Sequence, residues 1–496
     1  MSRLVIFHSC EHHASVWPFS APDGRPVGGL ERRAALVRRE REGGGAVLLL
    51  DSGDVLYGAT ASAAFGGRAD IVGMSAAGYD AMGCGNHDFD LGPAYIRELA
   101  SLASFPIVSS NVHLAEGGPV LPETALLKTP AGSVLIASVV SEDVFSKFNP
   151  PARAQLRWLP PVPALQRLVG GGNAEAPDWV VVITHQTTED DCRLAAEFPH
   201  ADVIVGGHVA GFAGLIPPGG SSPVAEYEGP GPIVVKAGRQ GRWLGRLEAE
   251  LLPGRWLRAQ AQLIEVSLAI PPDPAVEAAL RPFREELDQP VAFLPYTDGN
   301  LVRLRRGQAA LGGLVAAAVR WHCKCDVALQ LVGGVFSAGL KGPIRYQDLV
   351  DVIPYRSRVV RFRLTREEVL ACLEHGLKQL DALGGTLLQV AGAKVKVDPR
   401  RPPGQRVVGL EFEGPPDEDG RYAVAVQEYM ARGGAGFRMP PDGQDTGIHP
   451  VTCLKEYLRS GPGAPAPPVE LVSQPPPPPW SAGEQDSDFL DGHTLL

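Results

Sequence analysis

The sequence predicts an α/β layered fold, and three observations carry that expectation. Short β-branched and apolar runs recur along the first half of the chain, bounded by Gly, Asn, Asp or Ser, as buried strands are. Stretches of helix-forming composition or loop separate them, the alternation from which layered α/β cores are built. Each run also empties into His, Asp, Asn or Glu, which puts those side chains just past the carboxyl ends of strands, where α/β proteins gather their ligands.

Taken in order, residues 4–7 form the first strand and lead into His8, Glu11, His12 and His13. Residues 29–42 have helix-forming composition, with Leu30, Ala34, Leu36 and Val37 on one side, and the glycines at 43–45 end the helix. The strand at 46–50 delivers Asp51, Gly53 and Asp54. A small-residue helix over about 60–78 leads to a third strand at 80–82. That strand delivers residues 83–92, in which four groups that bind metal or move protons, Asn86, His87, Asp88 and Asp90, stand between glycines that let the backbone turn and approach a ligand. Such a segment also has the composition of a plain polar turn. Later strands at 105–108, 134–140, 179–184 and 203–205 end at Asn111, at Glu142 and Asp143, at His185 and at His208. Together these ends form a rim of Glu11, His13, Asp54, Asn86, His87, Asp90, His185 and His208. Imidazoles mixed with carboxylates and a carboxamide suit zinc, manganese, iron or cobalt, whereas magnesium and calcium prefer all-oxygen sites.

Composition bounds the partners. The 496 residues exceed one ordinary core and suggest two or three domains at ~150 residues each. Lys plus Arg number 46 against 56 for Asp plus Glu, and the net charge of -10 disfavours a nucleic-acid polymer. Seven cysteines, with Cys323 and Cys325 in one Cys-x-Cys and no paired Cys-x-x-Cys, fit reduced thiols and a cytoplasmic protein. The apolar run at 4–7 is too short for a signal peptide, and no run approaches the roughly 18 residues of a membrane span, so no membrane partner is expected.

The order His8-x-x-Glu11-x-His13, Asp51-x-Gly53-Asp54, Gly85-Asn86-His87-Asp88-Phe89-Asp90-x-Gly92, Thr184-His185 and Gly206-Gly207-His208 resembles the calcineurin-like metallophosphoesterases, and more narrowly the two-domain 5′-nucleotidase family. The resemblance spans roughly residues 3–460. It implies a four-layer α/β/β/α sandwich over residues 1–265, a linker helix within 266–295, and a second α/β substrate-binding domain of the 5′-nucleotidase C-terminal type over 296–460. A proline-rich tail follows over 461–496. The resemblance further implies two divalent metal ions. Glu11, His13 and Asp54 would hold the first; Asp54, Asn86, His185 and His208 would hold the second, with Asp54 bridging. His87 would stabilise or protonate the leaving oxygen and Asp90 would orient it.

Two positions depart from the family. Glu11 stands where Asp is usual, and Ala210 where a further His is usual. The first site is then one protein ligand short unless water, Cys10 or His12 fills the gap, and its metal should be the weaker one. Residues 233–247 resemble the end of the catalytic domain and would close the sandwich with a strand, a glycine turn and another strand; a plain hairpin is the alternative.

In the second half, residues 275–287 form a proline-flanked helix. The segments ending in Tyr355 and Phe437 resemble the two aromatic walls that sandwich a flat base in the family, although either ring could equally be core. Arg305 aligns with an arginine near the substrate. The polar part of the pocket departs further: Leu331 and Phe336 stand at an Asn and a substrate-binding Arg, Gly313 and Ala317 at an Asn and an Asp, and Ala435 at an Asp. Thr365 and Glu368 should cap a helix running to His375 as a capping box. The tail prolines at 475–479 suit polyproline II, and the acidic, apolar end could dock a protein. The expected activity is hydrolysis of a small, nucleotide-like phosphate ester. Its alternatives are another ester, such as a cyclic or sugar nucleotide, and a scaffold that keeps the fold with little or no catalysis.

Overall fold

A computed structural model describes the chain apart from residues 1, 58–59, 171–175, 209–210, 254, 299–309, 336–338, 356, 381, 383, 462–468 and 472–496. Ala210, Arg305, Phe336 and the docking segment read into the tail therefore lie outside the described residues. Two compact units are present, residues 1–285 and 286–496.

In the first unit the apolar runs pair into two sheets. One has seven strands in the order Glu226–Pro230, Trp256–Glu265, Trp243–Leu252, Ser2–Ser9, Ala46–Asp51, Ala81–Gly83 and Ile107–Val108. The other has five, in the order Ile233–Lys236, Val203–Gly207, Trp179–His185, Gly132–Val140 and Thr124–Thr129. Leu4, Ile6, Leu48 and Leu50 of the first pack in one core with Val134, Ile136, Val181 and Ile183 of the second. Strands buried on both faces read as continuous Val/Ile/Leu runs rather than alternating ones, which is why they stand out in the sequence. The outer face of the five-stranded sheet buries Val180, Val182 and Ile204 against Leu194 and Ala195 of the helix Thr188–Glu197. Helices Leu30–Arg41 and Arg68–Ala77 cover the other sheet through Leu30, Ala34, Val37, Ile71 and Met74. The result is the four-layer α/β/β/α sandwich.

Local differences from the sequence reading have local causes. The helix read over about 60–78 is two, Thr60–Phe65 and Arg68–Ala77, because Gly66 and Gly67 between them take φ of 62° and 89°. Strands Ile233–Lys236 and Trp243–Leu252 are not a hairpin. The first edges the five-stranded sheet and the second pairs with Ser2–Ser9, so the glycine turn between them crosses the sandwich. The hairpin partner of Trp243–Leu252 is Trp256–Glu265, which the sequence reading left unassigned.

The helix Pro274–Leu287, read as a linker, packs on the first unit: Leu280 meets Gly73, and Phe283 meets Phe65 edge-on at 5.0 Å. The division at 285/286 falls in this helix, and the boundary expected at 295/296 falls inside the strand Pro290–Asp298. In the second unit a five-stranded sheet, ordered Leu388–Ala391, Val327–Leu331, Arg421–Gln427, Val359–Thr365 and Gln444–Asp445, is flanked by helices that include Ala310–Cys323 and Arg366–Gly376. The capping box is formed as expected: Thr365 N donates to Glu368 Oε2 at 2.8 Å, and Glu368 N donates to Thr365 Oγ1 at 3.2 Å. No helix among the described residues is long and apolar enough to cross a membrane.

Candidate metal centre

Parallel pairing aligns the strand ends. His8 and Ser9 lie beside Leu50 and Asp51, Leu50 and Asp51 beside Ala81 and Met82, and His185 beside Gly207. The loops that follow carry Glu11 and His13, Asp54, Asn86 and His87, and His208. Glu11 N donates to Gly53 O and His13 N to Asp54 O, both at 3.0 Å, which ties the first loop to the second.

These loops bring five of the six predicted ligands together, Glu11, His13, Asp54, His185 and His208. Donor atoms of Glu11, His13 and Asp54 lie within 4.8 Å of one another, and so do those of Glu11, His185 and His208. His185 Nε2 is 3.3 Å from both Glu11 Oε1 and Asp54 Oδ2, so Glu11 as well as Asp54 faces both groups. His13 Nδ1 and Asn86 Oδ1 are buried without a hydrogen-bond partner, while the buried Glu11 Oε1 and His185 Nε2 face each other at 3.3 Å. Buried polar atoms are almost always satisfied, so such orphaned atoms on loops hydrogen-bonded to Asp54 fit divalent cations. Glu11, His13, Asp54 and His208 also hold φ of 52°, 45°, 53° and 71°. For a non-glycine residue this backbone costs about 1–3 kcal/mol, and it clusters at functional sites.

The electrostatics reflect the concentration of acidic charge: burial opposes protonation of His185, yet Asp54 and Glu11 raise it to about 9. Burial would raise the carboxyl of Asp54, but His185, His87 and His13 hold it below its usual range. Glu11 is likewise lowered despite burial, chiefly by its hydrogen bond from His13. His208 is pushed down to about 4 by burial and by His185, which keeps its imidazole neutral and able to ligate.

His87 stands beside this cluster. Its Nδ1 bonds Asp90 Oδ2 at 2.8 Å, its backbone N donates to Asp54 Oδ1 at 2.8 Å, and its ring stacks on Tyr57 at 4.4 Å. Burial opposes its protonation, yet the Asp90 hydrogen bond and the charge of Asp54 raise it to about 9. A protonated imidazole oriented by a carboxylate is an acid ready to give up a proton.

Asp88, grouped by the sequence reading with residues that bind metal or move protons, turns out to be a clamp. Its carboxylate accepts from the backbone N–H groups of Asp54 (2.9 Å), Val55 (3.0 Å), Leu56 (3.2 Å) and Gly85 (2.8 Å). Neither residue suggested for the gap at Ala210 faces the cluster. Cys10 Sγ donates to Ala237 O at 3.2 Å, and His12 lies between Arg33 Nη2 at 2.7 Å and Asp70 Oδ1 at 3.2 Å. His8 is buried within its strand, where burial lowers it to about 3.

Sequence reasoning missed two cations at the rim: Arg239, whose Nε is 3.6 Å from Glu11 Oε2, and Lys147, whose Nζ is 3.2 Å from His208 Nε2. Isolated basic residues in loops give no pattern that would reveal them. In the second unit Tyr355 is half-buried. Phe437 is 2% exposed and packs on His375 with ring centroids 4.5 Å apart, as a core aromatic does.

Gly85 shows how little room the site has. A methyl group there would stand 2.2 Å from Asp54 Oδ1 and 2.7 Å from His185 Cε1. Gly85→Ala is expected to weaken metal binding by about 10–100-fold, the range found for residues that support ligands. Chelator competition reads the effect, and unchanged affinity would contradict the crowding.

The family profile described as "5'-nucleotidase, C-terminal domain" matches residues 290–442. Among curated relatives, a 5′-nucleotidase of Vibrio parahaemolyticus is 27% identical, with 92% of this chain and 89% of the relative covered. The 5′-nucleotidase of Bos taurus is 26% identical over 92% of this chain and 88% of its own length. Among solved structures, a 5′-nucleotidase precursor from Thermus thermophilus is 28% identical with a TM-score of 0.55, covering 95% of this chain and 100% of that one. A putative 5′-nucleotidase from Staphylococcus aureus, at 16% identity and a TM-score of 0.61 over 95% of this chain and all of that one, shares the fold. With the motifs, the layered first unit and the matched second unit agreeing, this chain is similar over nearly its whole length to two-domain 5′-nucleotidases, and its residues 290–442 carry their C-terminal domain.

Proposed function

We propose that this protein is a metal-dependent phosphomonoesterase that releases phosphate from nucleoside 5′-monophosphates or similar small phosphorylated metabolites. The observation that carries the reading is the His87–Asp90 pair, hydrogen-bonded at 2.8 Å beside the cluster of Glu11, His13, Asp54, His185 and His208. The names of the curated relatives support the nucleotide as substrate.

Glu11, His13 and Asp54 would hold one divalent ion, and Asp54, Asn86, His185 and His208 a second, with zinc, manganese, iron and cobalt suited to the donors. Such a pair supplies an activated water and neutralises charge on the attacking and leaving oxygens. The protein's own groups do the rest. Protonated His87 donates to the leaving oxygen, Asp90 stabilises its charge and fixes its ring plane, and Tyr57 holds the ring from its face. Arg239 and Lys147 border the cluster with positive charge for an anionic substrate. The seven free thiols support a cytoplasmic setting.

The test is phosphate release from nucleoside monophosphates, cyclic nucleotides and an aryl phosphate, with protein loaded separately with Zn²⁺, Mn²⁺, Fe²⁺ and Co²⁺. Turnover on monophosphates that chelator abolishes is the expected result, and silence with every metal would sink the proposal. Metal analysis after dialysis should find one ion per chain retained and the other lost, because Ala210 supplies no ligand. Two retained ions would refute the weakened first site.

A further inference from the structure

Lys236 is 0% exposed, yet it is a lysine at the end of a strand inside the sandwich. Its Nζ donates to Gln186 O and Gly207 O, each at 2.7 Å, and pairs with Asp191 Oδ2 at 2.8 Å. Two carbonyl acceptors and the charge of the Asp191 carboxylate thus surround the ammonium. Asp191, also 0% exposed, receives Thr184 Oγ1 at 2.6 Å. The pair passes under Gly206, where a methyl group would stand 2.5 Å from Asp191 Oδ2 and 2.7 Å from Lys236 Cε. The bare glycine is what admits the ion pair.

The two carbonyls are not arbitrary. Gln186 directly follows His185, and the carbonyl of Gly207 belongs to the peptide unit that contains the nitrogen of His208. His208 holds φ of 71°, a backbone that relaxes unless something fixes its peptide. His185 is already held at Nδ1 by Ser52 O at 2.7 Å, and the bond to Gln186 O fixes the chain one peptide unit beyond it, where Gln186 joins Thr187. Stability alone gives no reason for such an arrangement, since buried ion pairs can usually be replaced by apolar side chains of similar volume without loss.

We propose that Lys236 is a positioning residue that, with Asp191, locks the peptide unit entering His208 and the one that follows Gln186, and so sets the geometry of the metal ligands on the five-stranded sheet. This rests on the reading of those two histidines as ligands, and its test uses metal binding rather than turnover.

The variants are Lys236→Met and the charge-neutral double variant Lys236→Met/Asp191→Asn, each titrated with Co²⁺ in the full chain by visible absorption and by chelator competition. Thermal unfolding of the metal-free proteins is followed in parallel. In whichever variant folds cooperatively, Co²⁺ affinity is expected to fall about 10–100-fold, with a changed ligand-field spectrum that a loss of stability alone would not produce. Wild-type affinity and spectrum in a folded variant would overturn the proposal. So would failure of both variants to fold, which would make the pair a purely structural one. A wild-type chain that binds no Co²⁺ would overturn the underlying metal reading, and this proposal with it.

Discussion

Replacing His87 by alanine is expected to lower kcat for phosphate release by about 10²–10⁴-fold, the contribution of a positioned general acid, while leaving bound metal unchanged. The separation follows from what each atom of His87 does. Its imidazole meets Asp90 and Tyr57, and only its backbone N–H reaches Asp54, at 2.8 Å. Alanine keeps that N–H, so the ligand loop should hold its shape while the proton donor is lost. Asp90→Asn is the companion variant. An amide in place of the carboxylate removes the charge that holds His87 protonated, and the loss in kcat should be smaller than that of His87→Ala but in the same direction. The measurement is steady-state phosphate release with metal content determined on the same samples. A His87→Ala protein that turns over at the wild-type rate would remove His87 from the chemistry. One that loses its metal would make it a ligand or a ligand support.

Much of this was legible in the sequence because the physics that builds the first unit is also what marks it. Strands buried on both faces must be continuous apolar runs, so Val181, Val182 and Ile183 could be read as one. Parallel pairing then places the residues after each run on one rim, which is how Glu11, Asp54 and His185 could be grouped without coordinates. The signal failed where a residue's role depends on what comes to it from elsewhere in the chain. Lys236 and Arg239 sit three residues apart on the same chain segment; one is sealed under Gly206 and the other reaches Glu11, and nothing local separates them. The strand pair after residue 232 reads as a hairpin from pattern alone because periodicity reports burial, not which sheet a strand joins. Phe437 carries the same ambiguity, since an aromatic that stacks on a ligand and one that packs in a core have the same letter.

Asp88→Ala is expected to have the largest effect on stability of any single change near the site, although Asp88 was grouped by sequence with the proton-moving residues. Its two oxygens accept four backbone N–H groups from two loops, at 2.8 to 3.2 Å, in a position 1% exposed. Each buried donor left without a partner costs about 1–3 kcal/mol, so the loss should be at least about 4 kcal/mol, or ~10 °C in the unfolding of a unit this size. The loops concerned carry Asp54 on one side and Gly85 to His87 on the other, so metal binding should weaken with stability. Asp88→Asn should rescue little. An amide can receive Val55 and Leu56 through its carbonyl, but its NH₂ then faces the N–H groups of Asp54 and Gly85, donor against donor. Calorimetry of the metal-free proteins separates this from a role in chemistry. A variant that melts with the wild type but has lost its metal would mean that Asp88 binds the ion directly, and a variant that keeps both would leave the four hydrogen bonds without consequence.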